Sequence, residues 1–383
     1  MATTQLPTID LATLDDVVRR VLGAETAEVA DWQVTPLTGG LAGFGVYRVA
    51  GQARVGEHIR PWAVVLKVLE RNPDHDHPDD WYYWKREALL YASGILDNLP
   101  TGLRAPRCLL VEDRPPASTW IWMEVVAGLH GQRWSHAQYV AMARRLGTFN
   151  GAYLTGWPIP SAPGLQAAWL RSHVTWSRPM LDQLAERGDH PIVRRMWPPL
   201  LVPGINRLWN EREILLDALD RLPQTFCHRD ATSHNLFLQP GEDGEEEVVA
   251  IDWAFAGRGV LGEDLAGLVG GALAFVEVTP AEVATLDRAV FSAYLGELRA
   301  AGWDGDERLV RLGYSASVAL RDGPGSVGWA FDAVYESAEE SAEAICQAFY
   351  GRPADEALDY RSRLIAYALQ LGDEARQLAQ TLS

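Results

Sequence analysis

The sequence predicts an α+β chain of two lobes: an N-terminal antiparallel sheet with one main helix, then a larger and mostly helical lobe. Three observations predict it. Strand-like runs rich in β-branched and aromatic residues fill the first third, at 31–37, 44–50, 61–69 and 118–126. Helical periodicity takes over at Trp134–Leu154, resumes at Ile205–Leu222 and dominates after Leu261. At 383 residues and 48% hydrophobic content the chain is long enough for two lobes and a cleft. No repeat, low-complexity tract or long Ser/Gly linker divides it, so the boundary is set near Gly128, giving 1–128 and 129–383.

The elements follow in order. The first 25 residues read as a short helical addition. The runs 31–37 and 44–50 flank Thr38-Gly39-Gly40-Leu41-Ala42-Gly43, a turn whose backbone can approach an anion with no Cβ in the way. An ordinary hairpin turn fits it equally well. Pro61–Leu69 reads as a buried strand with Lys67 near its end, and a buried ammonium is costly without a carboxylate or phosphate partner. The helical stretch Trp81–Leu96 offers Glu87 as that partner, with Glu70 and Glu112 as weaker choices. Between strand and helix, the polar run Asp74–Asp80 reads as a connector rather than a metal site. Ser118–Val126 is a further apolar strand, broken by Ala127-Gly128.

The second lobe carries the chemistry. Cys227 is followed by HRDATSHN, then the short apolar run Leu236–Leu238, a turn at Gly241–Gly244, the returning strand Val248–Ile251, and Asp252-Trp253. One tight loop aims Asp230 and Asn235 into a common cleft, and the hairpin returns Asp252 beside Asn235. Phosphoryl transfer needs a carboxylate for the attacking hydroxyl, and an amide oxygen with a second carboxylate for magnesium. Asp230, Asn235 and Asp252 fit those roles in that order. The acidic run Glu242–Glu247 reads as the solvated hairpin tip.

With Phe237 at the final aromatic position, these segments resemble the HxDxxxxNxF and IDW motifs of the aminoglycoside phosphotransferase and choline kinase family, over about residues 30–350. The resemblance implies a bilobal protein-kinase-like fold and ATP, or GTP, as phosphate donor with Mg2+. It implies that Gly39, Gly40 and Gly43 approach the phosphates, that Lys67 holds the α and β phosphates and that Glu87 pairs with Lys67. It puts the backbone of Glu124 and Val126 against the nucleotide base, with Met123 backing the pocket. Asp230 becomes the catalytic base, and Asn235 and Asp252 the metal ligands. The implied acceptor is a small-molecule hydroxyl, above all of an aminoglycoside or other antibiotic. The alternatives are a metabolite such as an amino sugar, a nucleoside or choline, or a non-catalytic kinase-like binding module.

The chain also departs from the family pattern. Arg229 stands where glycine is more usual, and Asp264-Leu265-Ala266 matches the next helix without the preceding Asp-Pro. Asp264 is either a brace for the catalytic loop or a helix-start carboxylate. The absence of DFG and APE segments argues against a protein substrate. The candidate acceptor wall comprises the tryptophan-rich stretch, with Trp157, Trp169, Trp176 and Trp197, and Arg321–Glu340 with Asp322, Trp329, Asp332, Tyr335, Glu336 and Glu339, although plain helix surface or core accounts for each of these residues more readily than a ligand contact does.

A net charge of −17 argues against a nucleic-acid partner and is compatible with a cationic acceptor. No run approaches the roughly 18 apolar residues of a membrane span, and Met1–Leu11 lacks a signal pattern, so a cytoplasmic protein without membrane partners is expected. Cys108, Cys227 and Cys346 are far apart and read as reduced, small buried hydrophobes. A monomer or homodimer is expected.

Overall fold

Period-two alternation along His58–Glu70 (β3) sorts its side chains onto two faces, and the first lobe is built around that division. The computed structural model describes residues 6–37, 45–114, 118–128, 134–162, 164–165, 168–186, 189–240, 246–325, 343–344, 346–347 and 351–382. The expected turn with Gly39, Gly40 and Gly43 lies outside these residues, as do Trp329, Asp332, Tyr335, Glu336 and Glu339.

On one face of β3, Trp62, Val64 and Leu66 pack with Leu14, Val17 and Val18 of helix α1 (Leu11–Leu22). On the other face Leu69, with Lys67 beside it in the alternation, looks towards helix α2 (Arg86–Ala92). Strands β1 (Glu28–Pro36), β2 (Gly45–Val55), β4 (Cys108–Arg114) and β5 (Ser118–Glu124) complete an antiparallel sheet of order β1-β2-β3-β5-β4. Strand β5 alternates in the same way: Trp120 and Trp122 face α1, while Ile121 and Met123 face the larger core.

Helix α2 is much shorter than the expected Trp81–Leu96. The carbonyls of Asp80 and Trp81 accept from the Arg86 guanidinium at 2.5 and 2.9 Å, and Trp81 O also takes the Trp169 indole at 3.0 Å. Those acceptors are withdrawn from a helical ladder, so residues 81–85 form turns instead.

The second lobe opens with α3 (His136–Leu154), closed at its start by a Ser135–Gln138 capping box. The Pro/Trp-rich stretch expected between 156 and 203 contains the short helices α4 (Trp169–Trp176), α5 (Arg178–Glu186) and α6 (Pro191–Met196), followed by α7 (Val202–Asp220). Strand β6 (Gln224–Cys227) enters the catalytic loop, and the expected hairpin forms as β7 (Leu236–Pro240) and β8 (Glu246–Ala250), Leu236 opposite Ala250. Strand β9 (Gly257–Val260) pairs antiparallel with β6, a pairing the sequence did not signal.

Helices α8 (Asp264–Ala274), α9 (Pro280–Ala300), α10 (Glu307–Asp322) and α11 (Ala354–Thr381) finish the lobe. Every residue of α8 from Asp264 to Leu273 is buried, as its nearly continuous apolar composition requires. Helix α10 passes very close to the chain entering α8: a Cβ added at Gly313 would stand 1.9 Å from Leu261 O. That approach brings the far end of α10 to the catalytic loop.

Candidate active site

Lys67 lies buried on the α2 side of β3 and finds two carboxylates there. Its Nζ is 2.5 Å from Glu87 Oε2 and 2.9 Å from Asp252 Oδ1. Burial alone would lower the ammonium's pKa, but the two carboxylates outweigh it and hold it above its ordinary value. Burial raises the pKa of Asp252, yet the Lys67 charge and hydrogen bond win and keep that carboxyl below the usual range. The other oxygen of Glu87 accepts the Trp253 amide at 3.3 Å, so one helical residue ties strand β3 to the segment after β8. Of the three, Glu87 is almost wholly enclosed while the Asp252 side chain is 39% exposed, open to the cleft. Glu70 is exposed at the end of β3 and Glu112 hydrogen-bonds Trp122 and Arg114, so neither partners Lys67.

The hairpin brings Asp252 back to the loop as expected, Ile251 N donating to Asn235 O at 2.9 Å. Asn235 in turn reaches Asp230: its Nδ2 donates to Asp230 Oδ2 at 2.7 Å and to Asp230 O at 3.0 Å. His228 links the two strand ends. Its Nδ1 accepts the Asp230 amide at 3.2 Å, which leaves Nε2–H to donate to Ile251 O at 2.9 Å. Asp230, Asn235, Asp252, Lys67 and Glu87 are thus joined through one hydrogen-bonded group.

Two residues at this site hold left-handed backbone: Asp252 at φ 62° and Arg229, beside Asp230, at φ 67°. Such a conformation costs a non-glycine residue roughly 1–2 kcal/mol, least for Asp. At Arg229 the side chain compensates. It is buried, with Nε 2.8 Å from Glu263 Oε1, Nη1 3.2 Å from Phe255 O, and a further bond to Arg258 O. Its amide donates to Asp264 Oδ1 at 2.7 Å, and Asp264 Oδ2 accepts from Asn150 at 3.1 Å. Asp264 therefore both braces the catalytic loop and begins α8. Burial raises its pKa, opposed by that amide.

At the expected hinge, Met123 is buried in the larger core, and the Glu124 amide donates to Arg107 O at 3.0 Å. Val126 lies past the end of β5. Trp169 and Trp197 are buried, and Trp157 is 45% exposed. The polar connector is tied internally, Asp80 to His75 at 2.9 Å and Asp76 to the Trp84 indole at 2.5 Å.

Three contributors escaped the sequence reading. Arg86 is buried and gives its guanidinium to the carbonyls of Asp80, Trp81, Gly164 and Ala254, burial pulling its pKa down to about 10. Glu263 closes the ion pair under Arg229. Arg321, expected only as the edge of an acceptor wall, places Nη2 3.0 Å from Asp230 Oδ1 and bonds Arg229 O through Nη1. A buried Arg or Glu inside an otherwise apolar context was the available signal for the first two.

Several solved structures share the fold. A choline kinase from Cryptosporidium parvum Iowa II superposes with a TM-score of 0.57 at 14% identity, covering 96% of this chain and 97% of that one. An aminoglycoside phosphotransferase from Alicyclobacillus acidocaldarius gives 0.52 at 14% identity, over 99% of each chain. An amicoumacin kinase in complex with AMP-PNP, Ca2+ and Ami gives 0.52 at 14% identity, over 92% and 94%. No curated protein matches the sequence. Residues 76–306, more than half of the chain, match the phosphotransferase enzyme family (APH). This protein accordingly belongs to that family and is a small-molecule kinase.

Proposed function

We propose that the protein transfers the γ-phosphoryl group of ATP to a hydroxyl of a small molecule, most of all an aminoglycoside or another antibiotic. One observation carries the reading: Lys67, paired with both Glu87 and Asp252, stands in one bonded group with Asp230 and Asn235. Lys67 takes the α and β phosphates, Glu87 keeps it aimed, and Asp230 accepts the hydrogen bond of the attacking hydroxyl. Met123, Glu124 and Val126 line the base pocket, and Gly39, Gly40 and Gly43 the phosphate roof.

Asn235 and Asp252 offer the hard oxygen donors that suit Mg2+, with nucleotide phosphates completing its shell. The Asn235 Nδ2 is committed to Asp230, which leaves the amide oxygen for the ion. When bound, Mg2+ neutralises charge on the β and γ phosphates. The amicoumacin kinase of the same fold was captured with AMP-PNP and Ca2+, which supports a nucleotide and a divalent cation here. The division of the lobes belongs near Gly128, between the end of β5 at Glu124 and the start of α3 at His136.

An ATP- and GTP-consumption screen tests the function over aminoglycosides, other antibiotics, amino sugars, nucleosides and choline, with a generic protein substrate alongside. Turnover with a small-molecule hydroxyl is expected. A purified protein that consumes no nucleotide with any acceptor and binds none sinks the reading, and phosphorylation of the protein substrate alone redirects it.

A further inference from the structure

The carboxylate of Asp230 is engaged on both oxygens. Oδ2 accepts from Asn235 at 2.7 Å, within the loop itself, while Oδ1 accepts from Arg321 Nη2 at 3.0 Å, from the last turn of α10. Arg321 is not free to wander. Its Nη1 bonds the carbonyl of Arg229, its guanidinium carbon lies 5.8 Å from the centre of the Trp169 ring, and its side chain is 20% exposed. The loop is already braced by Asp264 on the Arg229 amide and by the Arg229–Glu263 pair. A second cation anchored to the loop and aimed at its one cleft-facing carboxylate is more than bracing requires.

Resting on the kinase reading above, we propose that Arg321 is a further catalytic residue, a fixed cation that pairs with the Asp230 carboxylate before transfer and with the transferred phosphoryl group after it. In the step, the acceptor oxygen bonds to the γ-phosphorus and its proton passes to Asp230 Oδ1. The bond from the γ-phosphorus to the bridging oxygen breaks, and its electron pair stays on the nucleoside diphosphate. Asp230 is then neutral, so Arg321 loses its counter-charge as a phosphate ester forms on the oxygen that had been bonded to Oδ1. A guanidinium offers that group two parallel N–H donors, and its anchor on Arg229 O keeps it in place without reorganisation.

Inorganic phosphate, titrated with and without MgADP and followed by tryptophan fluorescence, tests this on the full chain. Asp230→Asn imitates the protonated base and leaves Arg321 without its counter-charge, its bond to Arg229 O intact. It is expected to bind phosphate about tenfold tighter than the parent. The gain disappears when Arg321→Gln is added, and Arg321→Lys keeps part of it because a single ammonium cannot span both loop contacts. A gain of affinity cannot come from misfolding. In turnover, Arg321→Gln lowers kcat by about 10²-fold or more with nucleotide KM unchanged. The proposal falls if Asp230→Asn gains nothing, or gains equally with Arg321→Gln present. Loss of MgADP binding by the parent protein overturns the nucleotide reading instead, and the phosphate titration without nucleotide still decides the role of Arg321.

Discussion

The two halves of the cleft are built on different principles. On the sheet side, Lys67 on β3 and Glu87 on α2 stand on regular elements, nearly dry, and meet Asp252 from the segment after β8, two carboxylates on one ammonium. On the helical side, Asp230 and Asn235 sit on a loop with a left-handed residue, held from outside by Asp264, Glu263, Asn150 and Arg321. The first half is specified by short-range pattern and by a buried lysine's need for a partner. The second depends on residues brought in from distant helices, so its precision is a property of the packed lobe rather than of the loop.

The sharpest way to break the second half without touching the chemistry is Glu263→Ala. It leaves the Arg229 guanidinium buried without its carboxylate, and such a loss costs about 3–5 kcal/mol. Chemical denaturation is expected to show that drop; a change below about 1 kcal/mol refutes a structural role for the pair.

Asp230→Asn separates the halves functionally. Turnover falls about 10²-fold or more, as for a lost positioned base, while nucleotide affinity stays at the parent value. Unchanged turnover rejects Asp230 as the base. Lys67→Ala does the converse: affinity for ATP and ADP falls by the roughly 1.5–3 kcal/mol of a charged hydrogen bond, and adenosine binding is untouched. Calorimetry with the three ligands decides it, since equal losses for all of them mean a damaged fold.

The effect that is smallest per pH unit concerns His173, which stacks on Trp169 at 5.2 Å and meets Trp81 edge-on at 4.6 Å. Burial, with help from Arg321, pulls its pKa down to about 3. The unfolded chain binds this proton near pH 6.5 and the folded protein does not, so stability is fully present above about 6.5 and declines as pH falls towards 3. The slope from this group is about 1.4 kcal/mol per pH unit. His173→Gln removes it, and identical slopes in parent and variant show that His173 is not buried neutral.

Lys67, Glu87, Asp230, Asn235 and Asp252 were legible because each sits in a local pattern: an interrupted apolar strand, a loop of fixed spacing, a hairpin with a turn. The length of α2 was not, since its start is decided by Arg86 turning the Asp80 and Trp81 carbonyls inwards. Pairing of β6 with β9 was hidden for a different reason: four residues on each side carry too little alternation to declare a partner. Arg321 could not be assigned from sequence at all. Its place follows from the Gly313 approach of α10 to Leu261, a contact between helices that no short window contains.

Arg86 has a consequence for control. Its guanidinium gathers carbonyls from the connector before α2, from Gly164 and from Ala254, two residues beyond Asp252. Swinging α2 outwards, the move by which Glu87 would release Lys67, means abandoning the bonds to Gly164 and Ala254, at about 1.5–3 kcal/mol for each hydrogen bond to a charged group. The helix is a fixture and not a lever.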